Sequence, residues 1–205
     1  MPVLLYHPKR VIHIPMKTGS TWLRAMLREN EIEHSLYYGS MAKAGFERIL
    51  HNAQGTHHLA TVPPGWEDVP AAVTLRHPVD WYVSYWLHYR NINNPEVAFG
   101  QYEFHVKINR DAMDDFGEFV RQTKKAYPRG LLWSYFMQYI ERSKMVWRLD
   151  TIYDDLCNYF GKTLHRIRPR NTAMESFMPS VKERADILEY ESGYYELWRY
   201  NEGKK

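Results

Sequence analysis

Seven residues, Pro15-Met16-Lys17-Thr18-Gly19-Ser20-Thr21, stand between a short apolar run and an amphipathic one, and their types suit an anion. Gly19 lets backbone N–H groups approach an oxygen closely. Lys17 supplies a mobile positive charge, and the hydroxyls of Thr18, Ser20 and Thr21 can donate to phosphate oxygens. Where such a loop joins a strand to a helix, free N–H groups and the positive end of the helix dipole add to the attraction. A Walker A loop places its Lys after the second Gly, whereas Lys17 precedes Gly19, so the pattern is a different one. Taken alone, the loop also reads as a hydroxyl-rich helix cap with a solvated lysine.

A second cluster, Leu75-Arg76-His77-Pro78-Val79-Asp80-Trp81-Tyr82-Val83-Ser84-Tyr85, again sends a strand end into a helix start. Arg76 can fork onto a phosphate, and Ser84 can donate from the following helix. The plainer readings are a surface charge or a partner for Asp80, and a small packing residue. His57 and His58, after Gly55 and before Pro63-Pro64, are adjacent imidazoles of a kind that can serve as a general base. Two surface or packing histidines are the bland alternative. His13 lies within a strand pattern and is expected to be buried, and His77, His88 and His105 are weaker candidates.

These groups need elements to hold them. The β-branched run 11–14, stopped by Pro15, predicts a strand, and Trp22, Leu23, Met26 and Leu27 repeat at helical spacing. A helix is expected over 41–50 and a strand or strand-like loop over 57–62. Residues 71–75 predict a second strand and 81–89 an aromatic helix. After an irregular excursion over 91–114, helices are expected over 115–125 and 131–140. A third strand over 145–149 and a helix over 152–160, ended by Gly161, lead to a basic loop over 165–170, a helix over 181–191 and an aromatic tail. Strands alternating with helices imply an α/β fold with a central parallel sheet covered on both faces, a three-layer α/β/α arrangement in a single domain over 1–205.

Composition excludes several classes. The 205 residues are 44% hydrophobic and 25% charged, which is ordinary for a globular chain and unlike disordered, collagen-like or coiled-coil sequences. A net charge of +3 suits an anionic small molecule in one cleft and is well short of a nucleic-acid binder. The single Cys157 allows no intramolecular disulfide and no cysteine-based zinc site, and no metal site is expected. No window is long and apolar enough for a secretory or membrane-spanning segment, so a soluble, cytoplasmic protein is expected. The aromatic fraction of 15% is high, and rings with polar tips often line sites for flat ligands.

Lys17-Thr18-Gly19-Ser20-Thr21-Trp22-Leu23 resembles the 5′-phosphosulfate loop of the sulfotransferase superfamily. The segment from Leu75 to Tyr85 resembles that family's 3′-phosphate signature, with the same spacing from Arg76 to Ser84 and the same order of motifs. Val146-Trp147-Arg148-Leu149, Tyr159-Phe160-Gly161, Asn171-Thr172 and 185–200 are similar to its later elements. The resemblance implies a P-loop-like fold and transfer of a sulfuryl group from 3′-phosphoadenosine 5′-phosphosulfate to a small-molecule or glycan acceptor. Lys17 would meet the leaving oxygen, residues 17–22 with Arg76 and Ser84 would bind the donor, and His57 or His58 would act as base. The Arg-Lys-Gly element of cytosolic members is absent, and Lys182 and Arg184 are the cations that could replace it. Two rivals are a nucleoside triphosphate-dependent kinase, with Asp150 as its magnesium ligand, and a non-catalytic binding module.

Overall fold

Short apolar runs bracketed by turn residues become strands. The computed structural model describes residues 2–37, 47–50, 62–90, 110–167 and 177–200. Within them are β1 (Pro2–Tyr6), β2 (Lys9–His13), β3 (His34–Tyr37), β4 (Glu47–Leu50), β5 (Ala71–Leu75) and β6 (Met145–Arg148). The helices are α1 (Ser20–Glu29), α2 (Pro78–Arg90), α3 (Phe116–Ala126), α4 (Leu131–Ile140), α5 (Ile152–Phe160), α6 (Val181–Tyr190) and α7 (Ser192–Tyr200), with a 3₁₀ turn over Arg110–Met113. The fold is α/β. Its residues group into two compact units, 1–76 with 136–170 and 77–135 with 171–205.

The first unit holds the sheet, ordered β4-β3-β1-β2-β5-β6. It is mixed, which corrects the expectation of a parallel sheet: β1 runs antiparallel to both β2 and β3, while β2-β5, β5-β6 and β3-β4 are parallel. The cause is the two-residue connection through His7 and Pro8, because so short a link joins only antiparallel neighbours. Alternation sets the two faces. Val3, Leu5, Ile12, Ile14 and Leu36 pack with Leu23, Met26 and Leu27 of α1 and with Ile152 and Leu156 of α5, whereas Leu4, Val11 and Ala71 cluster separately. Each such aliphatic side chain, fully buried, contributes about 1.5–3 kcal/mol.

The helix expected over 41–50 is corrected at its end, since 47–50 is strand β4, paired in parallel with β3; residues 41–46 lie outside the described residues, as do 57–61. Ladder pairing outweighs a weak helical preference in so short a segment. The expected aromatic tail is the helix α7.

The second unit is helical. α2 buries Trp81, Tyr82, Tyr85 and Trp86, and rings of Phe116, Phe119 and Phe177 stand against them. Glu191, at the junction of α6 and α7, is buried and accepts from the N–H groups of Leu131 at 2.9 Å and Leu132 at 3.1 Å and from Tyr82 Oη at 2.7 Å. Its carboxylate thus caps the first turn of α4.

Candidate anion site after β2

β2 ends at His13, and the chain turns through Pro15–Thr18, closed by the Thr18 N–H donating to the Pro15 carbonyl at 3.3 Å. Two residues of the loop take left-handed backbone angles, Lys17 at φ 64° and Gly19 at φ 89°. For Gly19 this costs little; for Lys17 it is strain of about 1–3 kcal/mol, of the kind that collects at functional sites. Gly19 is the N-cap of α1, and no side chain caps the helix. The first-turn N–H groups therefore point out of the helix end with no carbonyl four residues back to receive them. A Cβ at Gly19 would strike Leu149 Cδ1, which would have to give way, and the left-handed backbone disfavours any other residue there.

The loop is tied to the sheet from below. Thr18 is fully buried, and its hydroxyl donates to the Pro15 carbonyl and pairs with Thr74 Oγ1 of β5, both at 2.7 Å. Thr18, expected to donate to phosphate, is engaged within the protein and shapes the loop. Ser20 and Thr21 stand at the helix start, Thr21 exposed, and Trp22 donates its indole N–H to the Ile167 carbonyl at 3.0 Å.

Arg76 follows β5, which is parallel to β2, and donates from Nη1 to the Lys17 carbonyl at 3.1 Å. The Lys17 ammonium is largely buried. Burial, and then the Arg76 charge, push its pKa down from the usual 10.5 to about 7. Two basic residues thus meet in the loop that leads into an uncapped helix start, and no described carboxylate is paired with Lys17. An anion is what such an arrangement takes.

One strand further, Arg148 ends β6 and sits beside Leu75 in register. It is 6% exposed and grips Asp150 with both arms, Nε to Oδ1 at 3.0 Å and Nη2 to Oδ2. Asp150, the magnesium ligand that a kinase would need, is thus held by a guanidinium. Among the described residues there is no group of three or more His, Cys, Asp or Glu arranged for a metal.

Of the predicted site residues, the structure brings Lys17, Thr18, Gly19, Ser20, Thr21, Trp22 and Arg76 into the first unit around one loop. In the second unit Ser84 is half-buried on α2, and Lys182 and Arg184 are exposed on the first turns of α6, which a Ser180–Glu183 capping box opens. His57, His58 and His105 lie outside the described residues. His77 is held between an Asp80 carboxylate 3.9 Å from Nδ1 and the rings of Tyr195 and Trp198. His13 is buried, as expected, 5.7 Å from the Tyr139 ring centroid, and its Nδ1 has no hydrogen-bond partner. Sequence reasoning missed Thr74, Arg148 and Leu149. Thr74 had a visible signal, a lone hydroxyl inside the apolar run 71–75.

Compared with protein-family models, with curated proteins and with solved structures, the chain gives no match.

Proposed function

We propose that the chain is a sulfotransferase, moving the sulfuryl group of 3′-phosphoadenosine 5′-phosphosulfate to a hydroxyl or amine of a small-molecule or glycan acceptor. One observation carries the reading: Lys17, strained and half-buried, stands at an uncapped helix start, with Arg76 at the end of the next parallel strand bound to its carbonyl. The N–H groups of Ser20, Thr21 and Trp22 would take the 5′-phosphate, and Arg76 the 3′-phosphate. The bond from sulfur to the bridging phosphate oxygen breaks as the acceptor's bond to sulfur forms. Charge grows on the departing oxygen, where the Lys17 ammonium is worth most. The acceptor proton passes to His57 or His58, and 3′,5′-adenosine diphosphate leaves.

The parallel trio β2-β5-β6 with its phosphate loop supports a P-loop-like, three-layer α/β/α domain over 1–205. We read it as cytoplasmic. The triphosphate-dependent alternative loses its metal ligand to Arg148.

The test has two arms. Calorimetry should show 3′,5′-adenosine diphosphate binding in preference to adenosine triphosphate; the opposite preference would sink the reading. With labelled donor and an acceptor library, Lys17→Ala should lower turnover more than product affinity, whereas binding with no turnover on any acceptor would leave a binding module.

A further inference from the structure

The Arg148–Asp150 pair lies one strand away from Arg76 and does no chemistry in the proposed reaction. Arg148 is nearly inaccessible, and a charged side chain is buried at a cost of several kcal/mol unless its partners hold it well. Asp150 supplies that hold with both oxygens, and the two residues flank Leu149. The intervening residue is thereby pinched. Its N–H continues the ladder to the Leu75 carbonyl at 2.8 Å, and the turn closes behind it through the Thr151 N–H on the Arg148 carbonyl at 3.1 Å. The Leu149 side chain lies against Gly19, on the side where any other residue would carry its Cβ.

We propose that Arg148 and Asp150 are positioning residues of the anion loop, acting through Leu149 on Gly19. Gly19 needs such a wall. A left-handed glycine has more backbone freedom than any other residue, and no side-chain cap holds the helix start. Leu149 limits that freedom, and the ion pair fixes Leu149. The loop is thereby gripped from two sides, by Thr18 on Thr74 and by Leu149 on Gly19.

Amide hydrogen exchange by NMR on the free protein tests this without assuming any ligand. The Leu23 N–H donates to the Gly19 carbonyl at 2.9 Å, so its protection reports where Gly19 sits. Asp150→Asn and Leu149→Ala should each lower Leu23 protection about tenfold, while amides of β1 change far less. Asp150→Glu should restore most of it. Arg148→Lys, which keeps the charge and loses the fork, should behave as Asp150→Asn does. In Leu149→Ala/Asp150→Asn the loss should be no larger than in Leu149→Ala alone. Full additivity, or unchanged Leu23 exchange in Asp150→Asn, would overturn the proposal; should that variant not fold, Arg148→Lys serves in its place. A second readout rests on the sulfotransferase reading: the dissociation constant for 3′,5′-adenosine diphosphate should rise in step with the lost protection. If that ligand fails to bind even the parent, the reading has failed and the exchange result still decides the proposal.

Discussion

The guanidinium of Arg76 donates to the backbone carbonyl of Lys17 at 3.1 Å, joining the loop after β2 to the end of β5. The same Arg76 charge acts on the Lys17 ammonium, second only to burial in lowering its pKa to about 7. Replacing Arg76 by Ala should therefore raise the Lys17 pKa toward 10.5, whereas Arg76→Lys, which keeps the charge, should leave it depressed. A side-chain NMR titration of Lys17 measures this. An unmoved midpoint in Arg76→Ala would show that burial acts alone.

A lysine with a pKa of about 7 is half neutral at pH 7 and largely neutral by about pH 8, and a bound phosphate should restore its charge. Binding of 3′,5′-adenosine diphosphate at pH 8 is expected to take up nearly one proton. Calorimetry in buffers of different ionisation enthalpy counts it, and Lys17→Ala should abolish the uptake. No uptake by the parent would place the Lys17 amine away from the anion.

His13 adds an acid sensitivity of opposite origin. Burial, and the positive charge of Arg142, hold its pKa at about 3 against an ordinary 6.5. The unfolded chain thus binds more protons than the folded one between those values, so stability is lost as pH falls from 6.5 toward 3. The loss from this one group is about 1.4 kcal/mol per pH unit within that window. Urea unfolding of the parent and of His13→Phe over pH 7 to 4 should show a shallower decline in the variant; parallel curves would contradict the assignment.

Glu191 is the corresponding risk in the helical unit. Its removal takes the acceptor from buried N–H groups at the start of α4 and from the Tyr82 hydroxyl. Glu191→Ala should cost about 3 kcal/mol or more, and Glu191→Gln, which keeps one acceptor oxygen, clearly less. Chemical unfolding of the two variants gives the comparison, and equal costs would mean that packing, not capping, is what Glu191 supplies.

Much of this was legible from residue type and local order. β2, β5 and β6 are apolar runs bounded by proline, glycine or charge, and α4 and α5 begin or end where Gly130 and Gly161 permit. β3 was hidden because His34 and Ser35 look exposed. Their burial is satisfied by the Ile32 carbonyl and by a Tyr6 hydroxyl 29 residues away, which no local pattern announces. Lys17 and Arg76 declared themselves by charge beside turn residues. Thr74 showed only as a lone hydroxyl in an apolar run, and Arg148 and Leu149 not at all, because what places them near the loop is strand pairing.

That pairing spreads the site along the chain. β1, β2, α1 and β3 all fall within residues 2–37, so the loop's own strand and helix belong to a short, local piece of the fold. Its tether to Thr74 spans 56 residues, and its wall at Leu149 comes later still. A fragment ending before residue 74 has the loop's residues without their anchor, and one ending before 149 has the anchor without the wall. Closing such distances costs loop entropy that only the completed ladder offsets. The anion binding proposed at Lys17 would thus depend on long-range topology, with no minimal peptide to carry it.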